Sequence, residues 1–342
     1  MSPSYLKPTP SKYTELIQTN ESNPIDKSNP MQHFCIFNPF LGYAQGVPIL
    51  MIIKRVYGVL TILVTIIFLF STPVSGKVTV FVSIAPQKYF VQQICKELAD
   101  VQVMVPPGAS PATYEPKPRQ MTAISKTRIY FSIGVPFENT WLKKIAAINP
   151  DMAVVPTDRG IKKLPMVAHH RQEDENQPEH GSLDPHIWLS PPLVMIQART
   201  ILEALQEYDS AHRFVYDNNY RAFISQLSNL DAELRNAFSG RSGQQVMVFH
   251  PSWGYFAQAY GLKQVSIEVE GKEPKPAQLR ELIEHARENG IKFVFVQPQF
   301  SARSAKLIAG EIGGQVVFAD PLAEDWAGNL RAVARKFEIA LR

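Results

Sequence analysis

The 342-residue chain contains only two cysteines. Two thiols cannot build a disulfide framework, nor a zinc site made of four thiolates. Charge is also sparse. Asp, Glu, Lys and Arg make up 19% of the chain, against roughly 25% in an average soluble domain. A net charge of +4 spread over 35 basic and 31 acidic side chains is too dilute for a nucleic-acid binder. The phosphate-cradling patterns GxxxxGK[ST] and GxGxxG are missing, as is the nucleophile elbow of an α/β-hydrolase. No Ser/His/Asp or Cys/His arrangement stands in a nucleophile context. What remains is a chain that is 45% hydrophobic, enough to bury a sizeable core and, by its length, to form about two domains.

The most apolar stretch is residues 56–70. Lys54 and Arg55 stand directly before it and small residues follow to Gly76. A positive start, an apolar run of about 7–15 residues and a small-residue end are the parts of a secretory signal. The expected cut lies after Gly76, with Val74 and Gly76 as the small residues at −3 and −1. The competing expectation is a membrane anchor, but the run falls short of the ~20 residues a spanning helix needs. Met51 directly precedes Ile-Ile-Lys-Arg, so residues 51–76 are expected to be the signal peptide. Residues 1–50, rich in Ser, Pro, Asn and Thr, are expected to be a non-native or disordered extension. Residues 1–50 balance in charge and residues 51–76 carry Lys54 and Arg55, which leaves a mature net charge of +2. Cys95 then stands alone, beside the apolar face of a helix, and reads as a small buried hydrophobe.

From residue 77 on, strand and helix patterns alternate. Strands are expected at 77–83, 101–105, 128–132 and 152–155, and helices at 86–98, 119–126 and 138–148. A polar loop runs from about 156 to 184. A wholly helical stretch follows, with helices at 192–208 and 213–238. The second carries Tyr216, Tyr220, Phe223, Ile224, Leu227, Leu230 and Leu234 at helical spacing, one apolar stripe. Strands then return at 245–249, 264–268, 293–296 and 315–318, with helices at 255–260, 276–289, 301–312 and 325–341. The pattern predicts an α/β protein of two lobes. Each holds a four-stranded parallel sheet flanked by helices, and a single long helix joins them. The expected boundaries are 77–190, 191–239 and 240–342. Ligands in such folds bind beyond the carboxyl ends of the strands and between domains.

Several polar residues fall just past those strand ends. They include His186 in DPHIWLSP, His250 in HPSWGYF, Gln297-Pro-Gln299, and Asp320-Pro-Leu322. Taken singly, each His is more often a satisfied polar residue, and Asp320-Pro is compatible with a turn. Together, two imidazoles and a carboxylate form a ligand set that suits Zn(II), among other metals.

With VPPGASPATYEP, DPHIWLSP, VFHPSWGYFAQAYGL, IEVEGKEP and ADPLAEDW in this order, the chain resembles the zinc/manganese solute-binding proteins of ABC importers, the ZnuA/TroA-like group. The resemblance spans residues 77–342. It implies two lobes joined by a rather rigid helix, with the metal in the cleft on His186, His250 and Asp320. Manganese binders of the group tend to carry Glu where His250 stands, so the resemblance and ligand softness both point to Zn2+, with Mn2+ or another divalent metal as the alternative. The group's first motif reads Pro-His-x-Tyr/Phe-Glu-Pro, whereas this chain places Ala112 where the His belongs. Ala cannot ligate, so the fourth position is open to water, to Glu115, or to His169, His170 or His180 of the acidic loop. Tyr114, Trp188, Tyr255 and Glu268 are expected to support the ligands from behind, and Glu270 to orient them or cap a helix. Trp188, Trp253 and Tyr255 are expected to pack the cleft floor, and His212 and His285 to lie at the surface.

The resemblance implies an extracytoplasmic receptor that captures Zn2+ and hands it to a membrane ABC permease with its ATPase. It performs no covalent chemistry, binds no nucleic acid and acts as a monomer. The alternatives are a receptor of the same fold retuned to another metal or a metal chelate, and a zinc-dependent hydrolase with Glu115 as base.

Overall fold

A computed structural model describes residues 49–69, 77–166, 183–268 and 271–342. The loop histidines His169, His170 and His180, together with Glu270, Val74, Gly76 and residues 1–48, lie outside the described residues. A first unit contains α1 (Ile49–Leu69), whose only charged residues are Lys54 and Arg55. A second unit, residues 74–342, holds everything described from residue 77 on.

That second unit opens with β1 (Val78–Ile84), α2 (Ala85–Cys95), β2 (Ala99–Val105), α3 (Pro118–Ile124), β3 (Ile129–Ser132), α4 (Pro136–Ile148) and β4 (Ala153–Pro156). The strands form one parallel sheet in the order β2-β1-β3-β4. Next come α5 (Pro191–Tyr208) and the 25-residue α6 (Arg213–Ala237). The second half adds β5 (Gln245–Val248), α7 (Gly254–Ala259), β6 (Lys263–Ser266), α8 (Pro276–Glu288), β7 (Phe293–Val296), α9 (Arg303–Glu311), β8 (Gln315–Phe318) and α10 (Trp326–Ala340). Its strands form a second parallel sheet, β6-β5-β7-β8. Two α/β lobes joined by a long helix are therefore what the alternation predicts.

Local chemistry explains the boundaries. Valine, isoleucine and phenylalanine fill the buried strand positions, where branched and aromatic side chains fit a pleated surface. Prolines open α2, α3, α4, α5 and α8, where a missing N–H costs nothing. Helix α2 ends at Cys95, three residues before the expected stop. Lys96 takes a positive φ of 48°, which breaks the α-helical ladder, and residues 96–98 form a 3-10 turn instead. Cys95 itself is free and buried, and burial pushes its thiol up to about 11. In the second lobe β5 and β6 stop at Val248 and Ser266, earlier than expected, so that Phe249–His250 and Ile267–Glu268 leave the sheet as loops.

The two lobes share a core. Along α6, Tyr216, Phe223, Leu227, Leu230 and Leu234 are buried, while Tyr220 and Ile224 are half-buried at the stripe's edge. Helix α6 packs on α2 of the first lobe, on α5 beside it and on α10 of the second lobe. Trp326, at the start of α10, lies edge-on to Phe90 of α2 at 5.1 Å. Its Nε1–H donates to the Trp188 carbonyl at 2.7 Å, and Trp188 Nε1–H donates to the Pro321 carbonyl at 2.7 Å. A smaller apolar cluster fills the outer side of the second sheet, where Met247, Val265 and Val294 meet Leu282 and Ile308.

Candidate metal centre

The polar loop between the first sheet and α5 is pinned at both ends. Pro165 and Leu183 form an antiparallel bridge, and Asp184 N–H donates to the Leu164 carbonyl at 2.7 Å. Two residues later His186 turns back on this pinned strand end. Its backbone N–H donates to Asp184 Oδ1 at 2.9 Å, and its ring Nδ1–H donates to the same oxygen at 2.6 Å. Both residues are buried. Gly254 makes room for the carboxylate, since a Cβ there would stand 3.1 Å from Asp184 Oδ2.

His250 is placed by sheet register. In the parallel pair β5/β6, Val248 lies beside Ser266, so the residues two positions further on emerge together. Those residues are His250 and Glu268, and His250 Nδ1–H donates to Glu268 Oε2 at 3.0 Å. Gln297, immediately past β7, clamps the His250 backbone from the other side. Its Oε1 accepts from His250 N–H at 3.2 Å, and its Nε2–H donates to the His250 carbonyl at 2.7 Å.

The two rings converge, with centroids 5.2 Å apart and planes at 72°. Phe300 stacks on His250 at 4.8 Å, and Trp188 lies 5.0 Å from His186. Both imidazoles border a cavity of about 70 Å³, whose other walls are largely apolar and include Ala112, Val135, Pro136, Met166, Phe300 and Leu322. Each ring spends Nδ1–H on a carboxylate, which leaves Nε2 as the lone-pair nitrogen a metal needs. Burial pushes the His186 imidazole pKa down, against the opposing pull of Asp184. The neutral, ligating form is therefore favoured.

Asp320 sits two residues past β8. Its Oδ1 accepts from Leu322 N–H at 2.9 Å and from Gln299 Nε2–H at 3.0 Å. It adjoins the cavity through Pro321 without lining it. Among the described residues no three His, Cys, Asp or Glu side chains converge as a ready-made cluster. Of the expected trio the structure thus brings the two histidines together on the cavity, whereas Asp320 is not among the residues that line it.

The remaining candidates divide. Glu115 is exposed and off the cavity. The Tyr114 hydroxyl donates to Gln120 Oε1 at 2.6 Å, which turns it toward α3 and away from the histidines. The Tyr255 hydroxyl donates to the Asp184 carbonyl at 2.8 Å and accepts from Leu164 N–H at 2.8 Å, so it braces the loop and not a ring. Of the aromatic residues expected on the cleft floor, only Trp188 borders the cavity. Trp253 is buried against Phe256 and Phe337. His212 and His285 are partly exposed and lie off the cavity, hydrogen-bonded to Asp209 at 2.8 Å and to Gln245 at 2.6 Å. Sequence reasoning missed Asp184. Its signal was present, a carboxylate two residues before a histidine, but that spacing reads equally well as a turn.

Comparison with known proteins settles the family. The profile of the zinc-uptake complex component A periplasmic family, ZnuA, matches residues 80–340. The chain belongs to this family. Its relatives include the high-affinity zinc uptake system protein ZnuA of Bacillus subtilis, 28% identical over 245 residues, 70% of this chain and 76% of that one. The iron-binding protein YfeA of Yersinia pestis is 30% identical over 239 residues, 68% of this chain and 74% of that one. A crystal structure of ZnuA superposes with a TM-score of 0.73 at 43% identity, covering 78% of this chain and all of that one. The ZnuA family consists of extracytoplasmic solute-binding receptors of metal importers, and the protein is such a metal-binding receptor.

Proposed function

We propose that the protein captures Zn2+ in the cavity between its lobes and delivers it to a membrane ABC permease with its ATPase. His186 and His250 bind the ion through Nε2, and Asp320 joins them through its carboxylate. The observation that carries this reading is the pair of histidine–carboxylate couples, Asp184–His186 and Glu268–His250, on one small cavity. A carboxylate behind each ring fixes its tautomer and raises its basicity as a ligand. The apolar walls keep competing water away and strengthen the ion's attraction to its donors. Imidazole favours zinc over manganese, which prefers carboxylate, carbonyl and water.

The protein works as a carrier. A hydrolytic role needs a base beside a metal-bound water, and the one candidate, Glu115, lies off the cavity. Residues 51–76 serve as the export signal that places residues 77–342 outside the cytoplasm, with residues 1–50 as an extension before it. Competition titration against a chromophoric chelator tests the metal assignment. Zn2+ is expected to bind at least ~10²-fold more tightly than Mn2+, as ligand softness favours. Equal affinities would contradict zinc as the cargo.

A further inference from the structure

Two imidazoles and one carboxylate leave a zinc ion one donor short of its usual four, and Ala112 offers only a methyl group where a third ring is expected. The wall of the same cavity holds an unclaimed donor. Gln299 Oε1 is buried and has no hydrogen-bond partner among the described residues. The other end of this amide is committed, since Nε2–H donates to Asp320 Oδ1 at 3.0 Å. A carboxylate only accepts, so that bond fixes which end of the amide is oxygen. The neighbouring Gln297 shows the contrast. Its Oε1 accepts from His250 N–H, and its Nε2 donates to the His250 carbonyl and to Ser252 Oγ. A buried carbonyl without a partner costs about 1–3 kcal/mol, so an orphan in a cavity wall points to something that satisfies it.

Topology brings this side chain to the site. Strands β7 and β8 run parallel, with Val296 beside Phe318. Gln299, three residues past one, and Asp320, two past the other, therefore leave the sheet side by side.

We infer that Gln299 Oε1 supplies the fourth metal donor that Ala112 withholds, on the reading that Zn2+ is held by His186, His250 and Asp320. The set becomes two imidazoles, a carboxylate and an amide oxygen. It is harder than a three-imidazole set and discriminates less sharply against Mn2+. Glutamine at 299 is then a specificity-determining ligand as well as the brace of Asp320.

A double-mutant cycle tests this, with zinc affinity and the visible absorption of the Co2+ form as readouts. Gln299→Ala is expected to weaken zinc binding by on the order of tenfold or more and to shift the Co2+ bands. Ala112→His restores an imidazole, and in that background Gln299→Ala is expected to cost less than about threefold, because the position is filled. An equal loss from Gln299→Ala in both backgrounds would show that Gln299 acts only through Asp320 and would overturn the inference. So would unchanged affinity and Co2+ bands in Gln299→Ala. His186→Ala and His250→Ala separate the two levels. If they keep zinc, the zinc site itself is wrong; if they lose it while Gln299→Ala does not, only the amide assignment fails.

Discussion

At the residue scale, two buried carboxylates, Asp184 and Glu268, hold the ring nitrogens of His186 and His250, and on the proposed zinc site they are expected to tune the ligands without touching the metal. Asp184→Asn and Glu268→Gln keep shape but remove the charge that holds each Nδ1–H, and each is expected to weaken zinc binding about 10–100-fold by titration calorimetry. Gly254→Ala is expected to have a related, smaller effect, because the added methyl presses on Asp184 Oδ2 and must displace it. The pH dependence follows from His186. Burial holds its folded pKa below the ordinary ~6.5. Between that depressed value and ~6.5 the unfolded chain binds more protons than the native one, so stability falls as pH falls through this window. Melting the metal-free protein in EDTA from about pH 7.5 to pH 5 is expected to show this loss, and His186→Gln to reduce it. In sequence, His250 and Asp320 are legible because each follows a strand, and His186 because it stands at the end of the first lobe in the DPHIWLSP motif. Asp184 and Gln299 are not, since their roles depend on which side of a carboxylate or an amide is already bonded.

At the element scale, α6 and the start of α10 hold the lobes together. The α6 stripe is plain in the sequence because its apolar spacing persists over 25 residues. Its partner is not, because Trp326 lies roughly a hundred residues later and nothing local says which surface it meets. Trp326→Ala removes a fully buried ring and leaves the Trp188 carbonyl without its donor. It is expected to cost about 3–5 kcal/mol in denaturant unfolding. Strand existence is similarly legible in VTVFVSI or FVFV, whereas strand ends are not. The early stops of β5 and β6 are set by the loops that carry His250 and Glu268, a tertiary demand that overrides local β propensity.

At the scale of the whole molecule, the lobes are stitched on both sides of the cavity. Trp326 Nε1–H donates to the Trp188 carbonyl and Trp188 Nε1–H to the Pro321 carbonyl, Tyr255 reaches back to Leu164 and Asp184, and Lys88 pairs with Glu324 at 2.5 Å. With one shared core behind the site, metal capture is expected to involve local adjustment at Asp320 and little hinge motion. Small-angle scattering with and without Zn2+ is expected to give the same radius of gyration within error. Binding to the native state alone stabilises by about 2.7 kcal/mol at a hundred times Kd, so the melting temperature is expected to rise with added zinc and fall back with EDTA. The most direct test is metal analysis of tag-free residues 77–342 after equilibration with Zn2+ and desalting. The parent is predicted to retain one zinc per chain and the His186→Ala/His250→Ala double variant none. A parent that retains no zinc, or a folded double variant that retains as much as the parent, would contradict the account.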